Sequence, residues 1–285
     1  MGQGLHFVSL DYQKLINWRF PAVTRHYTAE DAVRFARGFG AGLSGPLHES
    51  DAPYLSGRKA LPVIAVPLTD GEFWQQNPET GIDWRQIIHA EEALTMHRPL
   101  PAQGGVVITQ RVEEIFDRGT EKGAVMLQKQ FLHDENNVPL ASIDVTTVLR
   151  GNGGFGGKSY EPAKVRLPED RAPDATVEIV TPSERDAIFR LSAEIKAAAS
   201  AGNGKSMMRG VGCFGLAGRG VLQLACDNQP ERLKRLGVRY AGPMYTDEVM
   251  RIELWHVQPG MAVFRMWSVG RKALVLNNCY VEFSA

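Results

Sequence analysis

The sequence predicts an α+β fold in which a helix packs on antiparallel strands, and this plan occurs twice along the chain. Three observations support the prediction. Two segments of helical periodicity begin with similar capping residues, strand-like segments follow each of them, and a proline-containing segment precedes corresponding strands in the two halves. With 285 residues, of which 44% are hydrophobic, the chain can bury one large core or two modest ones.

The first predicted helix covers residues 28–39. Thr28 is a candidate N-cap, and Asp31, three positions later, completes an arrangement close to a capping box. The apolar residues that follow recur at helical spacing and form one face, which predicts an amphipathic helix. These residues are Ala32, Phe35, Ala36 and Phe39.

The second predicted helix covers residues 183–199 and begins 155 positions after the first. Ser183 and Asp186 repeat the cap of the first helix. The apolar stripe is repeated by Ile188, Leu191, Ile195 and Ala198. One extra helix is predicted in the second half, at roughly 213–226.

Segments that alternate apolar and polar residues follow each helix and are predicted as strands. In the first half they cover residues 60–68, 86–96, 105–115, 123–133 and 139–149. In the second half they cover residues 237–242, 248–257, 261–269 and 273–283. Residues 98–101 precede one strand, and residues 242–245 precede its counterpart, 144 positions later.

The repeat predicts two modules and a connection between them. Residues 1–150 form the N-terminal module, residues 183–285 form the C-terminal module, and the Gly- and Pro-rich residues 151–182 form the linker. A sheet wrapped round one helix is the hot-dog arrangement, so the predicted fold is a double hot dog.

Charge and cysteine content limit the partners that we expect. Lys and Arg together equal Asp and Glu, 32 each, which argues against a broad nucleic-acid or membrane-surface footprint. No segment approaches the ~20 apolar residues of a membrane helix, and the N-terminus has no apolar run typical of a signal peptide. Cys213, Cys226 and Cys279 show no CxxC spacing, which is typical of buried free thiols in a reducing compartment. We therefore expect a cytoplasmic protein.

Two phosphate-binding motifs occur only in part. Residues 151–156 match G-x-G-x-x-G, and the same stretch, ending in Lys158 and Ser159, resembles a P-loop. Both motifs need a following helix that aims N–H groups at phosphate, but the next residues contain three prolines and predict a linker. Paired Cys/His spacing is absent from the sequence, so neither a metal nor a cofactor is expected. The basic run 232–239 fits either a solvated helix end or a phosphate-facing patch.

Several segments, in order, resemble the (R)-specific 2-enoyl-CoA hydratase 2 family of MaoC-like dehydratases, which includes the hydratase part of the peroxisomal multifunctional enzyme. They are residues 27–42, 89–104, 153–158 and 216–245. The resemblance implies a double hot-dog homodimer that takes an acyl-CoA thioester and adds or removes water at its 2,3-double bond. It implies no cofactor, because coenzyme A enters only as part of the thioester.

In that family the second module carries G-D-x-N-P-x-H, a loop and then L-H-G. The Asp and the His activate a water, and the last glycine donates its N–H to the thioester oxygen. This sequence places Glu194 on the Asp, Lys196 on the Asn and Ala199 on the His. Arg209 stands on the second His and Gly210 keeps its place, so the resemblance implies Glu194 and Gly210 as catalytic residues.

The resemblance also implies residues that bind the substrate. Residues 89–92 resemble the family's H-G-E-Q, and His89 and Ala90 fall on its His-Gly pair, whose backbone contacts the ligand. Arg118 falls on a basic position that meets a phosphate of coenzyme A, and Tyr240 falls on an aromatic position of the pocket wall. Arg209 completes the predicted set of substrate-binding residues.

Three functions remain open on the sequence alone. The chain is a hydratase or dehydratase with a rebuilt site that uses Glu194, or an acyl-thioester-binding protein or subunit without catalysis of its own. The third possibility is other thioester chemistry on the same fold, such as hydrolysis, which has fold analogy as its only support.

Overall fold

The computed structural model describes residues 10–43, 49–161, 165–189 and 205–284. These residues form one antiparallel sheet and several helices, which confirms the predicted α+β class. The strands are β1 (Val23–Tyr27), β2 (Ile87–Met96), β3 (Gly104–Asp117), β4 (Ala124–His133), β5 (Pro139–Leu149), β6 (Ala175–Val180), β7 (Leu233–Arg239), β8 (Val249–Gln258), β9 (Met261–Ser268) and β10 (Ala273–Phe283). The α-helices are α1 (Tyr12–Ile16), α2 (Ala29–Gly38), α3 (Ala52–Leu55), α4 (Ala65–Leu68) and α5 (Gly210–Cys226).

The strand order shows the internal repeat directly. The sheet runs β1-β3-β4-β5-β2-β7-β10-β9-β8-β6, so its second half mirrors its first. In the first half β3, β4 and β5 pair in sequence, and β5 also pairs with β2. In the second half β8, β9 and β10 pair in sequence, and β10 also pairs with β7. Strands β2 and β7 therefore lie at the centre of the sheet. The two halves meet where β2 pairs with β7, antiparallel, from Glu91 opposite Arg239 to Thr95 opposite Arg235.

Helix α2 matches its prediction closely. The Thr28 side chain accepts a hydrogen bond from the Asp31 amide while the Asp31 carboxylate accepts one from the Thr28 amide, so the capping box is complete. Ala32 and Ala36 are buried, and Phe39, at the C-cap, is fully buried. The predicted apolar face is therefore the face that packs on the core.

Helix α5 is the long helix that the sheet of the second half encloses. It contacts β6, β7, β8 and β10, and it is buried on almost every side. Its glycines allow close packing against the first half, because a Cβ at Gly215 would overlap the Phe39 ring and one at Gly218 would overlap Val63. This helix therefore belongs to the cores of both halves.

Of the two helices predicted for the second half, the one at 213–226 is confirmed and the other is corrected where it is described. The described part of the predicted helix 183–199 consists of turns, although Ser183 and Asp186 do hydrogen-bond to each other. Leu191, Ile195 and Ala198 lie outside the described residues. The segment predicted as an extra helix at 213–226 is α5, the principal helix of this half, and it begins at Gly210.

Three further assignments are corrected. The predicted strand 60–68 is helical, with a 3-10 turn at Pro62–Ile64 followed by α4. An unbroken apolar run does not distinguish a buried strand from a buried helix, and the two prolines argue against a strand here because they lack the N–H that a ladder needs. The predicted linker 151–182 ends in β6, which pairs with β8, so that part belongs to the sheet. The basic run 232–239 is mostly strand β7, not a helix end.

A buried ion pair holds α5 against the first half. Arg219 of α5 donates from Nε and Nη2 to the two carboxylate oxygens of Asp51, at 2.9 and 3.0 Å, and from Nη1 to the Phe39 carbonyl. The Gly42 amide donates to the same carboxylate. Neither charged side chain is more than 4% exposed, so the pair is a buried, hydrogen-bonded bridge between the halves.

The cysteine prediction is confirmed, since Cys213, Cys226 and Cys279 are all buried and free. Burial raises the pKa of the Cys226 and Cys279 thiols to about 12, so both stay protonated at neutral pH. Among the residues that the structure describes, no helix is long and apolar enough to cross a membrane.

Candidate functional site at the start of helix α5

A cluster of polar residues lies where the first turn of α5 meets strands β2 and β7. It contains Gly210 of α5, His89 and Glu92 of β2, and Tyr240, the residue that follows β7. A Cβ placed on Gly210 would lie 3.2 Å from the Tyr240 hydroxyl and 3.4 Å from His89 Nδ1. Three of the residues predicted from the sequence thus meet in one place.

A β-bulge in β2 brings His89 and Glu92 to the same side of the strand. His89 lies opposite Thr147 of β5 and Glu91 lies opposite Thr146, so Ala90 is the extra residue of a β-bulge. The bulge turns His89 to the same side as Glu92, and His89 Nε2 lies 3.9 Å from a Glu92 carboxylate oxygen. Ala90 itself accepts a hydrogen bond from the Tyr240 amide at 3.0 Å.

Glu92 is the deepest group in the cluster, with a side chain only 5% exposed. Its carboxylate accepts a hydrogen bond of 2.8 Å from the Tyr240 hydroxyl. Burial raises the pKa of Glu92, and the positive charge of His89 and the Tyr240 hydrogen bond offset this only in part. Burial beside the same carboxylate also raises the pKa of Tyr240 well above its ordinary value, so the phenol stays protonated.

Within the described part of the chain, Gly210 has a backbone donor without a partner beside this cluster. It is the first residue of α5, and the N-cap residue, Arg209, makes no side-chain cap. Within the described residues, the Gly210 amide N–H has no hydrogen-bond acceptor. The positive end of the helix dipole lies at the same point, so the N–H is suited to hold a developing negative charge on oxygen.

Arg209 closes one side of the cluster through an ion pair. Its guanidinium lies 2.7 and 2.8 Å from the two carboxylate oxygens of Asp70, which follows α4 in the first half. Both side chains are about 41% exposed. Arg209 therefore bridges the first half and the start of α5, and its remaining N–H groups stay accessible to a ligand.

Arg118 lies apart from this cluster. It is exposed in the turn between β3 and β4, and its amide donates to the Gly123 carbonyl. In the strand order β3 is three strands from β2, a separation of about 14 Å. Arg118 lies near Tyr160. Burial raises the pKa of Tyr160, and the positive charge of Arg118 acts in the opposite direction and lowers it. Its role at a coenzyme A phosphate stays a prediction.

The glycine-rich residues 151–156 have a structural partner. The Asp117 carboxylate accepts hydrogen bonds from the amides of Gly154 and Gly156, at 2.8 and 2.5 Å, and from Gly119 at 2.8 Å. Burial alone would raise the pKa of Asp117, but these amide donors lower it overall. A protein carboxylate therefore occupies the backbone donors that a phosphate would need.

The predicted catalytic segment is only partly visible. Glu194, Lys196 and Ala199 lie outside the described residues, so the structure does not place the carboxylate predicted to act there.

Sequence reasoning missed two described groups, Glu92 and Asp70. Glu92 had a recognisable signal, because it shares the period-two face of β2 with the buried Leu94 and Met96. Asp70 follows a segment predicted as a strand and had no such signal.

Comparison with known proteins agrees with this architecture. The fold is that of MaoC-like dehydratases: a solved MaoC-like dehydratase from Phytophthora capsici covers 95% of this chain and 98% of its own, with a TM-score of 0.77 and 24% identity. More particularly, residues 26–151 match the MFE-2 hydratase 2 N-terminal domain. The predicted family resemblance and the double hot-dog fold are confirmed.

Two curated relatives span nearly the whole chain. A 3-hydroxyacyl-thioester dehydratase Y of Mycobacterium tuberculosis is 29% identical and covers 91% of this chain and 93% of its own length. A probable enoyl-CoA hydratase 2 of Dictyostelium discoideum is 26% identical, with coverages of 90% and 91%. The family likeness is thus to hydratases and dehydratases.

Proposed function

We propose that this chain binds an acyl-CoA thioester and adds water to, or removes it from, the 2,3 position of the acyl chain. The observation that carries the proposal is Gly210, the first residue of a buried helix: its side-chain position lies beside His89 and Tyr240, and its N–H has no hydrogen-bond acceptor within the described residues. The names of the relatives, a hydroxyacyl-thioester dehydratase and an enoyl-CoA hydratase, support the same reaction.

The arrangement suits the charge that this reaction develops. When water adds to an enoyl thioester, negative charge moves from the double bond to the carbonyl oxygen. A preorganised N–H donor in a buried site stabilises that oxygen, and removing one such donor typically lowers kcat about 100- to 1,000-fold. In the proposed complex the thioester oxygen lies at the Gly210 N–H, against His89 and Tyr240. Arg209 and Arg118 are proposed to contact the coenzyme A part, and Ala90 the thioester.

The test is hydration of a panel of trans-2-enoyl-CoA esters, from short to steroid-sized, followed as loss of enoyl absorbance. We expect turnover on at least one ester, with a 3-hydroxyacyl-CoA as product. Saturated acyl-CoA should bind without reacting. Release of a free thiol without hydration would contradict the proposal and indicate hydrolysis of the thioester.

A second candidate function has one specific observation in its favour. Ala199 and Lys196 replace two residues of the family's catalytic motif, so the usual acid/base group is absent from that position. This favours a thioester-binding protein or a subunit whose catalysis a partner supplies. Tight binding of saturated acyl-CoA, with no hydration of any ester by the folded protein at high concentration, would support this candidate.

We further propose that the protein acts as a homodimer in the cytoplasm. The family resemblance supports the dimer, and three buried free cysteines fit a reducing compartment. Light scattering after size exclusion measures the mass of the assembly. A monomer at working concentration would contradict the first part of this proposal.

A further inference from the structure

We propose that His89, oriented by the buried carboxyl of Glu92, is the acid–base group of this chain. The acid–base group then lies on strand β2 of the first half, and not in the second half as in the family motif. The inference rests on the proposed function, because it assigns the proton transfers of the same reaction. His89, Glu92 and Gly210, to which it assigns roles, all lie within the residues that the structure describes.

The first support is geometric. The β-bulge at Ala90 places His89 between the two parts of the site: Nε2 lies 3.9 Å from Glu92, and Nδ1 faces Gly210. Nε2 is buried and has no hydrogen-bond partner within the described residues. Catalytic hydrogen bonds are often long without substrate and shorten in the complex, so a small shift of the ring makes this contact. The ring is 38% exposed, which leaves it accessible to substrate and water.

The second support is the charge environment of Glu92. The described residues include three buried acids, Asp51, Glu92 and Glu248. Arginine side chains hydrogen-bond to Asp51 and Glu248 directly. Within the described residues the Tyr240 hydroxyl is the one hydrogen-bond partner of the Glu92 side chain, and the His89 ring lies 3.9 Å from its carboxylate. A buried carboxylate without a guanidinium is costly, and it selectively stabilises a protonated imidazole beside it.

The third support comes from the residue types. In the family pattern H-G-E-Q, Glu92 stands on the glutamine, while Ala199 stands on the histidine of the second-half motif. The chain thus has a carboxyl where the family pattern has a neutral amide, and no titratable group where the pattern has its histidine. A Glu–His pair on β2 supplies the titratable imidazole that the second-half motif lacks, together with a carboxyl beside it.

The reaction balances with this pair alone. Neutral His89 takes a proton from water through Nδ1 while the water oxygen forms a bond to Cβ. The electron pair of the double bond moves toward the thioester, and the Gly210 N–H holds the resulting charge on the carbonyl oxygen. The imidazolium, held through Nε2 by Glu92, then returns the proton to Cα. Dehydration follows the same steps in reverse.

Two substitutions test the assignment, with a matched control. In His89→Gln we expect kcat for enoyl-CoA hydration to fall by about 100-fold or more, because a general acid/base contributes that much. Glu92→Gln introduces the glutamine of the family's H-G-E-Q pattern, and we expect kcat to fall by at least about tenfold in this variant. The dissociation constant of a saturated acyl-CoA should stay within about threefold of the wild-type value in both. Glu253→Gln, which changes a partly buried strand carboxylate held by Arg265 and Trp267, should keep wild-type kcat.

A pH profile separates a positioning role of Glu92 from a merely structural one. In the wild-type protein the cluster faces Asp70, Arg209, Tyr240 and Cys213 as its other charged or titratable groups. Replacing the Glu92 carboxyl with an amide removes its support for the imidazolium. The acid limb of kcat/KM should therefore move to lower pH in Glu92→Gln and stay in place in Glu253→Gln.

The outcomes distinguish this inference from the proposed function. Hydration by the wild type that survives His89→Gln, or is lost in Glu194→Gln alone, would overturn the inference and leave the proposed function standing. Absence of hydration by the folded wild type, with acyl-CoA still bound, would overturn both. Loss of kcat in both β2 variants with retained acyl-CoA binding supports the inference.

Discussion

Asp51 and Glu92 are both carboxylates buried in the first half, but their surroundings differ in kind. Asp51 has two guanidinium donors and a backbone amide, and each nitrogen of the Arg219 guanidinium that pairs with it has an acceptor. Glu92 has a phenol and a partly exposed imidazole. A buried carboxylate bound by a guanidinium holds the two halves together, whereas one without a guanidinium keeps a raised pKa and can orient a neighbouring imidazole for proton transfer.

The largest effect, a loss of stability, is expected when the buried ion pair of Asp51 and Arg219 is broken. Asp51→Ala leaves the Arg219 guanidinium buried without a carboxylate, which should lower the free energy of unfolding by about 3 to 5 kcal/mol. Chemical denaturation followed by circular dichroism measures the change. The double variant Asp51→Ala, Arg219→Met should be less destabilised than the sum of its single variants. A loss below about 1 kcal/mol for Asp51→Ala would show that the pair does not join the halves as described.

The next effect concerns the backbone donor of the site. Proline suits the first position of a helix, and Arg209, with φ −67° and ψ 156°, already has the extended conformation that a following proline requires. Gly210→Pro removes the N–H, whereas Gly210→Ala keeps it and adds a similar Cβ against Tyr240. We expect kcat for hydration to be about 100- to 1,000-fold lower in the proline variant than in the alanine variant. Equal activities would exclude the Gly210 N–H as the oxyanion donor.

Two buried glutamates should show opposite dependence of stability on pH. Burial raises the pKa of Glu92 in the folded state, so its contribution is present below the unfolded pKa and is lost as pH rises through the folded value. Burial alone would also raise the pKa of Glu248, but hydrogen bonds and charge from Arg271 lower it, so its contribution is lost as pH falls.

Thermal unfolding from about pH 3 to about pH 9 measures both effects. Glu92→Gln should gain stability relative to the wild type as pH rises, because the amide avoids burying a charge. Glu248→Gln should be destabilised most at neutral pH and least in acid, where the wild type also loses its ion pair with Arg271. Parallel curves for the wild type and Glu92→Gln would mean that Glu92 does not titrate differently in the folded protein.

Local signals account for the parts of the fold that the sequence predicted correctly. The Thr28–Asp31 capping box and strand β10 depend on residues close in the chain, and both match the structure. Helix α5 was predicted at roughly 213–226, and its start at Gly210 was missed, because the segment is rich in glycine and buried on almost every side, which weakens the one-sided apolar periodicity that marks a surface helix. Strands β1 and β6 were missed because they are short edge strands whose pairing is long-range.

The site could be predicted only in part. Resemblance located His89, Gly210 and Tyr240, and the structure brings them together. Glu92 joins them because of the bulge at Ala90, and a bulge becomes visible only when the register of the neighbouring strand is known. No local pattern could show that Asp70 meets Arg209, since 139 positions separate them.

The smallest expected effect is a change in acyl-CoA affinity at Arg118, whose exposed charge differs from the buried charges of Asp51 and Glu92. The side chain is exposed on a hairpin turn, so a contact with a coenzyme A phosphate would be screened by water and salt. Arg118→Ala should weaken binding of a saturated acyl-CoA by about two- to fivefold at low salt, the range of an exposed ion pair, and by less at high salt. Arg111→Ala, which changes an arginine of the preceding strand β3 that is paired with Glu113, is the control and should bind normally. Unchanged affinity of Arg118→Ala at low salt would remove Arg118 from the binding site and direct the search for the phosphate partner to Arg209, whose guanidinium lies within the cluster.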